Sequence, residues 1–186
     1  MSLEPVPDTF RQLRANLRQN NLEGRVNALN KGVGAASDTL RFTVSEGANN
    51  HVNTDGTNEE TVSVPVEPVD SLLADFSSAP AILKIDVEGW EGAVLRGAEE
   101  TLSQEAPLAL IVELCKGGRY GFDEDEIDEA LRDEGFTPVV YEPFRRALQS
   151  VDRRREGGNT IYVNDFDVFA ERVRTSRAYS VLSRKL

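Results

Sequence analysis

Two acids follow an apolar run in the middle of the sequence. Residues 81–85 read Ala-Ile-Leu-Lys-Ile, and Asp86 and Glu88 come next, just before Gly89 and a helical pattern. Such a run is typical of a buried parallel strand, and ligands of open α/β sheets bind beyond the carboxyl ends of the strands. Because side chains alternate along an extended chain, we expect Asp86 and Glu88 to point into one cleft.

A third acid, Glu113, stands near the end of a second apolar run, residues 107–114. We expect residues 82–87 and 108–114 to be adjacent, parallel, central strands, so that Glu113 lies beside Asp86 and Glu88. Carboxylates brought together raise the pKa of at least one of them, which predicts a general base for a hydroxyl group. The alternative is that these acids only stabilise the start of the following helix.

Other reactive side chains give weaker signals. His51 is the only histidine and falls in a long loop, where it is either a base on a mobile lid or, as we expect, a solvated side chain. Cys115 is the only cysteine and has no histidine near it in the sequence, so we expect an incidental thiol. The arginines between residues 145 and 155 could bind an anionic substrate, but we expect them to lie on a solvent-exposed face.

The composition limits the function. The net charge of −11 argues against nucleic-acid binding, which needs clustered cations. Lysine occurs only four times, whereas arginine supplies the other 17 of the 21 cations. This acidic, lysine-poor composition suggests a halophilic source, and the alternative is an ordinary acidic proteome of high GC content. Since no apolar run approaches 18 residues and no signal-like leader opens the chain, we predict a cytoplasmic protein without a membrane span.

The pattern of elements predicts one α/β domain over residues 1–186, with a Rossmann-like sheet. Helices and strands alternate, which favours parallel pairing, but the last two strands have no helix between them, so the last one should be antiparallel. An arginine-rich connection joins those two strands. The loop at residues 45–60 should be the most mobile internal segment. The predicted strands are 2–5, 25–30, 39–44, 61–66, 82–87, 107–114, 137–141 and 160–163, and the main predicted helices start at Pro7, Trp90, Asp123 and Phe166, the last running through residue 186.

Residues 83–102, LKIDVEGWEGAVLRGAEETL, resemble the signature of the FkbM family of S-adenosylmethionine-dependent methyltransferases. The resemblance extends from Glu4 to about Asn164. It implies a Rossmann-like methyltransferase fold, S-adenosylmethionine as the cofactor, and methylation of a hydroxyl of a glycan, a lipid or a secondary metabolite. The position of Asp86, Glu88 and Glu113 at the sheet edge assigns them to catalysis. Glu4, Asn30 and Asp86 are assigned to the cofactor: Glu4 is the acid for the ribose hydroxyls, and the turn at Asn30 lies near the adenine.

The sequence also departs from the family pattern. No strand followed by a glycine-rich loop and a helix occurs before Glu4, so the resemblance implies a domain truncated at its N-terminus. Because that loop supplies amides for the methionine end of the cofactor, we expect this chain alone to bind S-adenosylmethionine weakly or not at all. The alternative is a non-catalytic remnant or a binding module that depends on a partner or on a homo-oligomer. A dinucleotide-dependent oxidoreductase is disfavoured by the absence of a phosphate-binding loop.

Overall fold

The structure is a computed structural model that describes residues 1–45, 47–54, 56, 59–79, 81–178, 180–181 and 184–185. The chain divides into two compact units. Met1–Phe76 and Val87–Thr101 form the first unit, and Ser77–Asp86 and Leu102–Leu186 form the second. The prediction of one domain over residues 1–186 stays a prediction.

Most of the predicted helices and strands are present, with shorter bounds. In chain order they are β1 (Ser2–Leu3), α1 (Pro7–Gln19), β2 (Ala28–Leu29), β3 (Gly32–Val33), β4 (Asp38–Thr43), β5 (Thr61–Glu67), α2 (Val69–Leu73), β6 (Ile82–Ile85), α3 (Glu91–Arg96), α4 (Glu99–Leu102), β7 (Ala109–Glu113), α5 (Glu124–Asp133), β8 (Thr137–Glu142), β9 (Ala147–Ser150), β10 (Asn159–Val163), α6 (Phe166–Thr175), β11 (Ser180–Val181) and β12 (Arg184–Lys185).

In the first unit, β1 pairs in parallel with β2, and α1 lies between them in the chain. Proline at the first position of α1 costs no hydrogen bond, since the N–H groups of a first turn have no partner within the helix. Leu17 of α1 and Val6 just before it are buried. The predicted strand end before residue 5 and the helix starting at Pro7 are both confirmed.

A second small sheet of the first unit has the order β3-β5-β4. β4 and β5 are antiparallel, with Leu40 opposite Val64, and β3 adds to β5 in parallel. Val64 and Val66 are buried, whereas Ser63 and Pro65 are exposed, which is the alternation of a strand with one covered face. The two strands predicted at 39–44 and 61–66 are confirmed, and they form an antiparallel pair.

The connection between β4 and β5 is partly attached to β4. It contains a short 3₁₀ helix, Gly47–Asn49, and an isolated antiparallel bridge from Val52 to Phe42. Both bridge residues are buried, so at Val52 the connection adds to the core of the first unit. The mobility predicted for residues 45–60 stays a prediction, and part of that segment lies outside the described residues: Glu46, Asp55, Thr57 and Asn58.

The second unit has a five-stranded sheet in the order β6-β7-β10-β8-β9. β6 and β7 pair in parallel, with Ile85 opposite Val112, as predicted from the two apolar runs. β10 is antiparallel to both β7 and β8, which confirms the predicted antiparallel last strand. The central position predicted for both runs is wrong for β6, which lies at the edge of this sheet with 59% of Ile82 exposed. β9 forms within the stretch interpreted as an arginine-rich connection.

One face of this sheet is covered by α6. Ala109, Val139, Val163 and Phe169 form a buried cluster there. The helix start predicted at Phe166 is confirmed, and the Asp165 carboxylate caps it by accepting a hydrogen bond from the N–H of Val168 at 3.0 Å. The prediction that this helix runs through residue 186 is wrong: α6 ends at Thr175, and β11 and β12 form a hairpin after it.

The single helix predicted from Trp90 to Leu102 is two short helices, α3 and α4, interrupted at Gly97. The start of α4 is held from a distant part of the chain. The Asp70 carboxylate accepts hydrogen bonds from the N–H of Glu100 at 3.0 Å and from the N–H of Thr101 at 2.9 Å. Asp70 therefore caps a helix that is not its own, which a local sequence pattern does not predict. No helix in the described part of the chain is long and apolar enough to cross a membrane.

Candidate active site

Asp86 and Glu113 come together in the second unit. Asp86 directly follows β6, and Glu113 is the last residue of β7. Because β6 and β7 are parallel and Ile85 lies opposite Val112, the two acids reach the same edge of the sheet and their side chains are hydrogen-bonded. The sequence predicted this pair.

Two lysines add positive charge to this pair. The Nζ of Lys84 lies 2.6 Å from Oδ2 of Asp86, and Lys116 contributes its charge from the loop after β7. The Lys84 hydrogen bond lowers the pKa of Asp86. Partial burial raises this pKa and so opposes the effect of Lys84, whereas the Glu113 hydrogen bond and the charges of Lys84 and Lys116 lower the pKa further. Asp86 is therefore ionised near neutral pH.

The sequence predicted a raised pKa for at least one of the three acids, but the pKa of Asp86 is lowered. Asp86 therefore offers a negatively charged oxygen beside the Glu113 side chain. A carboxylate of this kind can hold a hydroxyl group by accepting its hydrogen.

Glu88 is in the first unit, and the extended conformation expected for it is wrong. β6 ends at Ile85, and Glu88 has a φ of 57°, in the left-handed region. The N–H of Trp90 donates to the carbonyl of Val87 at 3.2 Å, so Glu88 is a central residue of a tight turn. The alternation that would align Glu88 with Asp86 on one side of a strand therefore does not apply.

Glu91 was missed by the sequence analysis. Only 2% of this acid is exposed, and its Oε1 accepts hydrogen bonds from the N–H of Val87 at 3.2 Å and of Gly89 at 3.1 Å. A signal was available, because Glu91 shares the apolar face of α3 with Val94 and Leu95, which are three and four residues later. A charged residue on a buried face indicates a specific hydrogen-bonding role.

Glu4 and Asn30, the two cofactor residues implied by the resemblance, lie side by side in the first unit. The parallel pairing of β1 and β2 places them just after the strand ends. The Nδ2 of Asn30 donates to the carbonyls of Glu4 at 2.8 Å and Pro5 at 2.7 Å. Oε1 of Glu4 accepts from the N–H of Val6 at 3.0 Å. Burial raises the pKa of Glu4, and the Val6 hydrogen bond partly opposes this.

Gly34, which directly follows β3, contacts the end of α3 within the first unit. A Cβ atom on Gly97 would lie 2.1 Å from the carbonyl oxygen of Gly34, so the two backbones touch at this point. Gly97 has an ordinary φ of −83°. Gly97 therefore lacks a side chain for packing and not for conformation. This close contact allows the end of α3 to pack against Gly34.

His51 is buried in the first unit, contrary to the solvated side chain expected. Only 9% of it is exposed, and its Nδ1 lies 3.2 Å from the carbonyl of Asn49. Its backbone N–H donates to Oγ1 of Thr43 at 3.0 Å. These contacts attach the loop to β4, so the structure gives His51 a role in holding the β4–β5 connection. No group of acidic, histidine or cysteine side chains among the described residues is arranged to hold a metal ion.

Two comparisons relate this chain to known proteins. The family model described as Methyltransferase FkbM domain matches residues 1–138. The crystal structure of the methyltransferase FkbM from Methylobacillus flagellatus KT is similar over 87% of this chain, with a TM-score of 0.53 and 16% sequence identity. The match covers 35% of that protein, so this chain corresponds to about a third of its length. No curated protein matches the sequence.

At 16% identity the solved structure supports the α/β fold alone. The family model is the stronger finding, because it covers well over half of the sequence and includes Glu4, Asn30, Asp86 and Glu113. This chain belongs to the FkbM methyltransferase family.

Proposed function

We propose that this chain is a methyltransferase domain that uses S-adenosylmethionine to methylate a hydroxyl group of a glycan, a lipid or a secondary metabolite. The observation that best supports the proposal is the ionised Asp86 carboxylate held beside Lys84 and Glu113 at the ends of two parallel strands. Membership of the FkbM methyltransferase family supplies the reaction class. The carboxylate pair supplies the reason to expect a hydroxyl acceptor.

The residues implied for the cofactor have the chemistry that it needs. Glu4 is partly buried, and one oxygen of its carboxylate already accepts the Val6 N–H, so the second oxygen can accept hydrogen bonds from ribose hydroxyls. Both N–H bonds of the Asn30 amide point to backbone carbonyls, which leaves its oxygen as the acceptor for an amino group such as that of adenine. S-adenosylmethionine, when bound, supplies an activated methyl group.

Asp86 is the residue that we assign to the acceptor hydroxyl. Its charge is maintained by Lys84, so it accepts the hydroxyl hydrogen, orients the oxygen and takes the proton as the new oxygen–carbon bond forms. Glu113, which is hydrogen-bonded to Asp86, is proposed to tune this carboxylate. Glu88, in the turn after β6, is proposed to tune this group through its charge.

The test is a methyl-transfer assay with the purified chain and radiolabelled S-adenosylmethionine, using panels of glycan, lipid and polyketide hydroxyl acceptors. Millimolar cofactor allows for the weak binding expected from the sequence. We expect label in a product linked through oxygen. Label found only in products linked through nitrogen or sulfur would contradict the proposed acceptor class.

Paired variants separate catalysis from cofactor binding. Asp86→Asn keeps the shape and removes the charge, so we expect turnover to fall roughly a hundredfold or more while the Kd for S-adenosylmethionine changes only a few-fold. Glu4→Gln should instead weaken cofactor binding measured by calorimetry. Asp75→Asn and Glu60→Gln alter exposed acids and serve as controls. Normal turnover in Asp86→Asn would refute the role of Asp86.

A further inference from the structure

The turn between β6 and α3 has a conformation that its sequence does not favour. Its two central residues, Glu88 and Gly89, both have positive φ, 57° and 101°. Turns of this kind prefer glycine, asparagine or aspartate at both central positions, because other side chains clash with the backbone there. Glycine satisfies this at residue 89, but glutamate does not at residue 88. Something else in the structure must hold residue 88 in this conformation.

The Glu91 side chain is the group that holds it. Its Oε1 accepts the N–H of Val87, which precedes the left-handed residue, and the N–H of Gly89, which follows it. The acceptor is a carboxylate in a buried environment, where bonds to a charged group are strong. Both bonds depend on the turn conformation, because they require the two N–H groups to converge on one oxygen.

We propose that Glu91 is a positioning residue, which fixes the Val87–Trp90 turn and thereby the backbone conformation from which Glu88 projects. Glu91 lies at the first position of α3, and the helix is fixed in turn by its buried residues Val94 and Leu95. The Glu91 carboxylate thus connects the turn to the buried residues of α3. Any effect on catalysis rests on the proposed methyltransferase function and on the role of Glu88 in it.

Two variants of similar size test the hydrogen bonds alone. Glu91→Gln keeps an oxygen that can accept both N–H groups, whereas Glu91→Met fills the same space without an acceptor. We expect the amide hydrogens of Val87 and Gly89 to exchange with solvent roughly 10- to 100-fold faster in Glu91→Met than in the parent, and less than tenfold faster in Glu91→Gln. Amide exchange measured by NMR reports each residue separately.

Other roles for Glu91 give different results. If its charge only stabilised the start of α3, Gln and Met would have the same effect, and the exchange at Val87 and Gly89 would not differ between them. That result would overturn the proposal. If Glu91→Met does not fold, Glu91→Gln decides alone: retained protection of both amides supports the proposal, and lost protection in a folded protein overturns it.

The activity readout keeps the two proposals apart. In the methyl-transfer assay we expect Glu91→Met to lower kcat with little change in the Kd for the cofactor, and Glu91→Gln to restore most of kcat. If the parent chain transfers no methyl group to any acceptor, the proposed function fails. The amide exchange still decides whether Glu91 positions the turn.

Discussion

Replacement of Gly97 by alanine tests the contact between the end of α3 and Gly34, which directly follows β3. Helix propensity alone predicts that alanine stabilises this position by up to about 1 kcal/mol. The structure predicts the opposite, because the new Cβ would lie 2.1 Å from the carbonyl oxygen of Gly34 and 3.2 Å from Cα of Pro68. The sign of the effect therefore distinguishes local preference from tertiary packing.

The magnitude follows from what must move. A carbon and a carbonyl oxygen normally approach to about 3.3 Å, so the backbones of Gly97 and Gly34 must separate by roughly 1 Å. Overpacking of this kind costs about 1–3 kcal/mol, and the upper end applies because backbone atoms cannot turn away. The carbonyl of Gly97 also accepts the N–H of Asp70 at 3.0 Å, and weakening that bond adds about 1 kcal/mol. After subtraction of the propensity gain, the net loss is about 2–3 kcal/mol.

Urea unfolding followed by circular dichroism measures this loss, and Tm should fall by roughly 4–12 °C for a chain of this size. Gly24→Ala is the matched control, since no atom lies within 4 Å of its added Cβ and its φ is not positive. We expect this control to be neutral or stabilised by up to about 1 kcal/mol. Equal stability of the two variants would refute the contact between Gly97 and Gly34.

Two further predictions concern ionisable groups in the second unit. Lys84→Met removes the largest cause of the lowered pKa of Asp86, so the pKa of Asp86 should rise in an NMR titration. A carboxyl group whose pKa is lower in the folded protein stabilises the fold at pH values above its unfolded pKa, and this contribution is lost as the pH falls through the folded pKa. The variant should therefore be less stable near neutral pH and equally stable in strong acid. An unchanged titration of Asp86 would rule out the ion pair. Tyr162→Phe removes the hydroxyl that donates to Oδ1 of Asp128 at 2.6 Å, while Asp128 keeps Arg132 at 2.8 Å. We expect a loss of about 1–2 kcal/mol in urea unfolding, and a loss near zero would mean that Asp128 is satisfied by Arg132 alone.

The sequence by itself determined the elements whose cause is local. Continuous apolar runs identified β6 and β7 as a parallel pair, and alternation identified the β4–β5 hairpin. The helix start predicted at Asp123 also has a local cause, because Asp123 caps α5 by accepting N–H groups two and three residues later. The pairing of Asp86 with Glu113 was also predictable, since parallel strands end at one edge of a sheet.

The tertiary structure alone decided how these groups behave. The lowered pKa of Asp86 depends on Lys84, Glu113 and Lys116 around it, and the effects of groups from separate elements cannot be summed from the sequence. Gly97, between α3 and α4, packs directly against Gly34, which is distant in the chain. Local patterns report what a segment prefers, whereas contacts between distant segments set which preferences are overruled.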